Sequence, residues 1–243
     1  MYLKKIMMME INYQEVDFGT SNKNTYINIF NDFDLYFIPN MGRRFLYMSI
    51  DFKVFNEMVY GLKHSVIASG YPKSLDLEDL EDDPLITYDE MVRADKLGNA
   101  KPGSGHDCYL KGVVVQMDVT APQYWWLQFG RYHFSDIVSS QSKMHKILEM
   151  DIDTQCNEYV HPDMKAILKI MICDYKEKPS KEKFQGLIAS CPMGLMLTAR
   201  VTTNYLQLKS MYNQRKNHKL EEWRIFCDWM KTLPYFEQFA LNR

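Results

Sequence analysis

Two stretches of this 243-residue chain gather side chains suited to holding anions and carbonyl oxygens. The first covers residues 119–143. On a helix, Tyr124, Gln128 and Arg131 would fall at i, i+4 and i+7 and share one stripe. An amide and a guanidinium on an otherwise aromatic helix are costly to bury unless something polar meets them. Just downstream, Ser139, Ser140, Gln141, Ser142 and Lys143 put three hydroxyls, an amide and a cation into five residues. That is phosphate-binding chemistry in type, without the spacing of a phosphate motif. The second stretch covers residues 202–215, where Val201, Tyr205, Leu208 and Tyr212 form the apolar stripe of a helix. Asn204 and Arg215 are eleven residues apart on it, ~16 Å along one edge, so a single helix would present an amide and a guanidinium to one groove. Taken singly, each stretch also fits a plainer description: a serine-rich turn after a helix, and a solvent-facing polar edge.

The elements that must position these groups are unevenly legible. Residues 34–38 read as a short strand ended by Pro39, and residues 41–69 have a mixed periodicity that favours helix. Six carboxylates within residues 76–83 lack the glycine turn and spaced oxygens of a calcium loop, so they read as a solvated loop or helix start. Residues 98–105, with Gly103 and Gly105, form the clearest loop. Val113-Val114-Val115-Gln116-Met117-Asp118-Val119 reads as a β-branched strand. Thr120-Ala121-Pro122 then opens a helix carrying Tyr124 through His133. Beyond it the chain reads as helical throughout, in segments 162–176, 180–190, 194–218 and 220–233. No repeat and no linker divides the chain, so the expected architecture is one α+β domain.

Composition narrows the function classes. Twenty-nine basic and 31 acidic residues leave a net charge of −2, with no global positive field for nucleic acid or an anionic membrane. Apolar runs are too short to span a bilayer, and the four-residue apolar start 6–9 is too short for a secretory signal. A cytoplasmic location is the expectation. Cys108, Cys156, Cys173, Cys191 and Cys227 are odd in number and scattered, which argues against a disulfide framework or a thiolate zinc site.

Together the two stretches resemble the flavin-dependent (alternative) thymidylate synthases. In that family a strand ending Val-x-Ala-Pro leads into a helix bearing Gln-x-x-Arg-His-Arg, then a serine loop, and later a helix with spaced Thr, Asn and Arg. Here Val119-Thr120-Ala121-Pro122 aligns without gaps, as do Gln128 and Arg131; Pro192, Thr202, Asn204 and Arg215 fall at the family's spacing. Glu221 and Glu222 lie near the acidic position of its final Glu-Ile pair. The resemblance covers about residues 103–235, leaving 1–102 as a divergent N-terminal part of a single domain.

What this resemblance implies is specific. The fold would be an α+β domain with a mixed or antiparallel sheet and a long helical C-terminal half, assembled as a homotetramer. The ligands would be a deoxyuridylate-type nucleotide and FAD, with NADPH and methylenetetrahydrofolate as co-substrates for one-carbon transfer to the pyrimidine ring. Carried over by position, Arg215 would be the catalytic group, polarising the pyrimidine carbonyl as negative charge develops on the ring. Gln128, Arg131, Ser140, Gln141, Ser142 and Lys143 would hold the nucleotide; Arg131, Tyr132, His133, His106 and Asn204 would meet flavin. The chain departs from the family where Arg-His-Arg becomes Arg131-Tyr132-His133 and where the serine loop becomes Asp136, Val138, Ser139, Gln141 and Lys143. A supporting Glu-His pair becomes Lys111-Gly112, and an arginine before Pro192 becomes Ile188. The alternative expectation is therefore a catalytically degenerate nucleotide-binding or interaction module on the same fold.

Other constellations are weaker. His106 and Cys108, with His133 and His145, lack a second ligand pair at metal-like spacing, and no metal is expected. Lys209, Arg215, Lys216, His218 and Lys219 read as a basic cluster complementing a helix C-terminus rather than a nucleic-acid surface. Trp125-Trp126 could stack a ring, but at a helix start they read as core.

Overall fold

The computed structural model describes residues 51–241 except 76, 78, 79 and 102. All described residues fall in one compact unit, Phe33–Arg243. A four-stranded antiparallel sheet organises it: β1 (Lys53–Tyr60), β2 (Val114–Pro122), β3 (Asp136–Ser140) and β4 (Met196–Asn204), in the order β1-β2-β4-β3. Helices α1 (Leu62–Ala68) and α2 (Tyr88–Gly98) and a 3-10 turn at His106–Gly112 lie between β1 and β2. Helix α3 (Gln123–Phe129) joins β2 to β3. After β3 come α4 (Lys143–Lys146), α5 (Ile152–Gln155), α6 (Pro162–Glu177) and α7 (Lys181–Ala189). After β4 follow α8 (Tyr205–Arg215), α9 (Glu221–Met230) and α10 (Phe236–Ala240). No described helix is long and apolar enough to cross a membrane.

The sheet alternates as its period of two requires. Val115, Met117, Val119 and Ala121 of β2 and Ala199 and Val201 of β4 are buried. All of these except Ala199 pack with Trp125, Phe129, Tyr205, Leu208, Trp223 and Phe226 in one core. A second, smaller core under α6 and α7 holds Ile147, Ile152, Cys156, Leu168 and Leu187. On the opposite face of the sheet, Asp118 and Arg200 face each other across β2 and β4 and are joined at 3.3 Å. Arg200 Nη1 also donates to the Asn56 carbonyl (2.8 Å), and Asn56 Nδ2 donates to Asp118 (2.7 Å). These bonds strap a β-bulge in which Asn56 takes a positive φ of 52°, a backbone region costly for most non-glycine residues and easier for Asn.

Several sequence expectations are corrected here. The helical reading of 41–69 fails at β1, because the bulge puts apolar residues at 54, 55, 58 and 59, a spacing that imitates a helix. The continuous helix over 194–218 is a strand as far as Asn204, and only then α8, so Val201 belongs to a strand. The helix over 124–133 stops at Phe129, with Gly130 as its C-cap. The serine-rich segment 139–143 is not a turn: Ser139 and Ser140 end the edge strand β3, and Ser142 is the N-cap of α4. Helices α6, α7 and α9 and strand β2 fall close to where periodicity and caps put them. The strand expected at 34–38 lies outside the described residues.

Candidate functional site

Helix α3 has three faces, because successive residues step about 100° around the axis. Trp125 and Phe129 enter the core, stacked at 4.9 Å. Tyr124 and Gln128 turn toward α8 and α9, and Gln123, Trp126 and Leu127 turn toward β3 and the start of β4.

The α8–α9 side centres on Arg215, half-buried at the last residue of α8. Its Nε donates to the Tyr132 hydroxyl (2.8 Å) and its Nη1 to Gln128 Oε1 (3.2 Å). Its guanidinium carbon lies 4.6 Å from the Trp223 ring centre and 5.7 Å from that of Tyr132. Gln128 Oε1 also accepts from Trp223 Nε1 (3.0 Å). Two donors converging on one atom fix which end of the Gln128 amide is oxygen. Its NH2 group is thereby left with no partner among the described residues. Every partner of Arg215 is neutral, and no described carboxylate forms a salt bridge with it. A guanidinium offers five N–H groups; two are engaged, so three remain. Arg215 and Gln128 together present donors only.

A second polar group extends this seam. The Tyr124 hydroxyl donates to Glu222 in a short hydrogen bond and accepts from Asn157 Nδ2 at 3.1 Å. Burial, reinforced by the Glu222 carboxylate, pushes the Tyr124 phenol far above its ordinary pKa, so it stays a protonated donor. His218, whose ring is 6.3 Å from that of Trp223, has its pKa lowered by burial and then by Arg215 and Arg224.

On the other side of α3 lies an open groove of about 320 Å³, lined by Gln123, Trp126, Leu127, Ile137, Ser140 and Gln141 among others. The Trp126 indole is fixed by the carbonyls of Ala121 and Leu197 (both 3.1 Å). Lys143 Nζ donates to Gln123 Oε1 (3.0 Å) and has no carboxylate partner among the described residues. Gln141 Oε1 accepts from the Thr198 amide (2.9 Å). Ser140 and Gln141 are exposed, and Ser142 is the N-cap of α4 without a side-chain cap bond.

The structure thus joins Gln128, Tyr132 and Arg215 directly and gathers Ser140, Gln141 and Lys143 at the groove. It does not place Arg131 on the Gln128 stripe. The chain turns after Phe129, leaving Arg131 exposed, without a side-chain hydrogen bond or ion pair among the described residues, and returns Tyr132 to Arg215 instead. His133 and His106 are exposed and outside the cluster. Asn204 sits at the far end of α8, its Oδ1 capping the helix through the Gln207 amide (2.9 Å). Lys209 does not belong to a surface cluster: it is 4% exposed and donates to Asp107 (2.7 Å) and the Gly98 carbonyl (2.6 Å). Among the described residues no group of three or more His, Cys, Asp or Glu is arranged for a metal. Trp223, Gln123 and Asn157 carry no local signal in the sequence; each enters through contacts between elements far apart in the chain.

No protein-family model matches the sequence, and no curated protein matches it. Solved structures do match the fold. The flavin-dependent thymidylate synthase ThyX from Helicobacter pylori, complexed with FAD and dUMP, superposes with a TM-score of 0.58 at 13% identity, over 77% of this chain and 97% of its own. A second structure of that enzyme with FAD and dUMP gives 0.59 at 13% identity, over 78% and 97%. The UMP/dUMP methylase PolB from Streptomyces cacaoi, bound with 5-Br dUMP, gives 0.55 at 12% identity, over 81% and 98%.

Proposed function

We propose that this chain, which has the fold of the flavin-dependent thymidylate synthases, binds a deoxyuridylate-type nucleotide with Arg215 and Gln128 on its pyrimidine ring. The observation that carries this reading is a half-buried guanidinium held by neutral partners, with three N–H groups unspent. Removing a guanidinium from water without a counter-charge is costly, and an acceptor-rich ligand supplies the missing interaction. A pyrimidine-dione presents such acceptors, and donors fixed beforehand stabilise negative charge developing on its ring. On the far side of α3, Lys143 with Ser140, Gln141 and Ser142 would take the phosphate, Lys143 as a point charge rather than a fork.

FAD is the flavin this reading expects. The exposed Arg131, His133 and His106 and the uncommitted Nδ2 of Asn204 are donors suited to a dinucleotide's oxygens, and bound flavin would supply the hydride chemistry. In that setting Arg215 orients and polarises the pyrimidine that accepts a one-carbon unit from methylenetetrahydrofolate, with NADPH as reductant. Exposed apolar side chains lining the groove, Leu127 (68%), Ile137 (48%) and Met193 (47%), support assembly with further copies into a homotetramer.

Calorimetry with deoxyuridylate tests the nucleotide, and an absorbance spectrum of the freshly purified protein tests the flavin. Colourless protein that ignores both ligands overturns the reading. A non-catalytic nucleotide-binding module is the second reading, favoured by the exposed edge strand that stands where the family has its serine loop. Tritium release from labelled deoxyuridylate would dispose of that alternative.

A further inference from the structure

We propose that Tyr132 is a positioning residue, whose hydroxyl fixes the orientation of the Arg215 guanidinium and hence the direction of its unspent donors. This rests on the nucleotide reading for its consequences but not for its geometry.

The hydrogen-bond directions are determined by counting protons. A phenol has one proton to give, and Gln214 Oε1 stands 3.1 Å from the Tyr132 oxygen as an acceptor. Gln214 is held in turn, its Nε2 donating to Ser210 Oγ at 3.1 Å, so its oxygen is the atom left to face the phenol. Toward Arg215 the Tyr132 hydroxyl is therefore an acceptor, and it receives the Nε–H at 2.8 Å. Three separate elements then constrain one planar group. The turn after α3 holds Nε through Tyr132, α3 holds Nη1 through Gln128 at 3.2 Å, and α9 lays Trp223 at 4.6 Å from the guanidinium carbon. With two of its nitrogens pinned and its face stacked, the plane has no free rotation. One N–H on Nη1 and two on Nη2 are left on a fixed edge beside the Gln128 amide NH2. In this role Tyr132 acts through Arg215 and needs no contact of its own with the nucleotide. Deleting the hydroxyl leaves Nε–H without its acceptor and lets the side chain turn about its own bonds.

A donor-only edge also discriminates. A 4-oxo pyrimidine offers it an acceptor, whereas a 4-amino pyrimidine sets donor against donor, and buried groups left unpaired reject the analogue. Loss of Tyr132's hold blurs that distinction.

The test uses the full chain with Tyr132→Phe, which keeps the ring and removes only the oxygen. In the ligand-free protein with 15N-labelled arginine, the Arg215 Nε–H resonance is expected to be protected from exchange and to lose that protection in the variant. The midpoint of thermal unfolding should stay within about 2–4 °C of wild type, the shift that a small stability change gives in a domain of this size. Calorimetry should show deoxyuridylate binding weakened roughly 10-fold, the scale of one charge-assisted hydrogen bond, and its margin over deoxycytidylate narrowed. An unchanged Nε–H signal, or an unchanged ratio of the two affinities, overturns the proposal. If Tyr132→Phe does not fold, Gln214→Leu is read in its place: it frees the phenol proton, and Arg215 Nε–H exchange should quicken. Wild-type protein that binds neither nucleotide, yet whose Nε–H responds to Tyr132→Phe, sinks the nucleotide reading and upholds the positioning role.

Discussion

The two sides of α3 are built on opposite plans. Toward α8 and α9 the polar groups complete one another: Gln128 receives from Trp223 and Arg215, Tyr132 receives from Arg215, and Tyr124 binds both Glu222 and Asn157. Toward β3 the groups are scattered from Ser140, at the end of an edge strand whose five residues are all exposed, to Lys143 at the start of α4, which rests on a single neutral amide. The first side is preorganised by the core beneath it. The second has apolar walls and an exposed rim, and offers charge without fixed direction. A ligand spanning both would be read for shape and hydrogen bonding on one side and merely held by charge on the other.

Five substitutions sharpen or break that contrast. The largest effect belongs to Trp125→Ala, which empties the core under the organised side, where the indole contacts Phe129 and lies 4.7 Å from Trp223. It should cost roughly 3–5 kcal/mol in denaturant unfolding. The exposed Leu127→Ala, two residues along α3, should stay within about 0.5 kcal/mol of wild type. Equal losses at the two positions would erase the distinction. Next, Arg215→Ala should lower deoxyuridylate affinity roughly 100-fold in calorimetry, since more than one hydrogen bond to a charged group disappears. Lys143→Ala should weaken the nucleotide only about 3- to 10-fold, consistent with an exposed charge pair. That difference from wild type should shrink as salt is raised. A salt-independent loss larger than that of Arg215→Ala would reverse the roles of the two sides.

The smallest effect is acid sensitivity at His218. Burial and two neighbouring arginines lower its pKa from 6.5 in the folded chain. The folded state thus prefers the neutral ring, and its contribution to stability is present above about pH 6.5 and is lost as pH falls through the lowered value. His218→Asn should flatten that part of the stability–pH curve measured by thermal unfolding. A variant whose curve keeps the wild-type slope below pH 6.5 would remove His218 from the organised side.

How far the sequence could be read follows the same division between local and distant causes. Helices α6 and α7 announce themselves through Pro162 and Ser180 at their starts: Pro162 opens the first turn of α6, and Ser180 caps α7. Strand β2 shows its β-branched run, and the family resemblance carried by the two blocks implies that Gln128, Arg131 and Arg215 serve one site. Strand β1 is hidden because its bulge at Asn56 breaks the alternation of two. Strand β4 is hidden because it runs into α8 at Asn204 with no glycine or proline between them, so the two periods blur into one. Arg131 was expected beside Gln128 because a helix carried past Gly130 would put it there; the turn substitutes Tyr132. Trp223 could be found only by folding α9 onto α3.

Whether the Arg215–Gln128 edge receives pyrimidine oxygens is decided by a crystal structure of the full chain soaked with deoxyuridylate. The expected result is a ring carbonyl oxygen within hydrogen-bond distance of Arg215 Nη2 or Gln128 Nε2. A nucleotide seated elsewhere, with both of these groups still facing solvent, would contradict it.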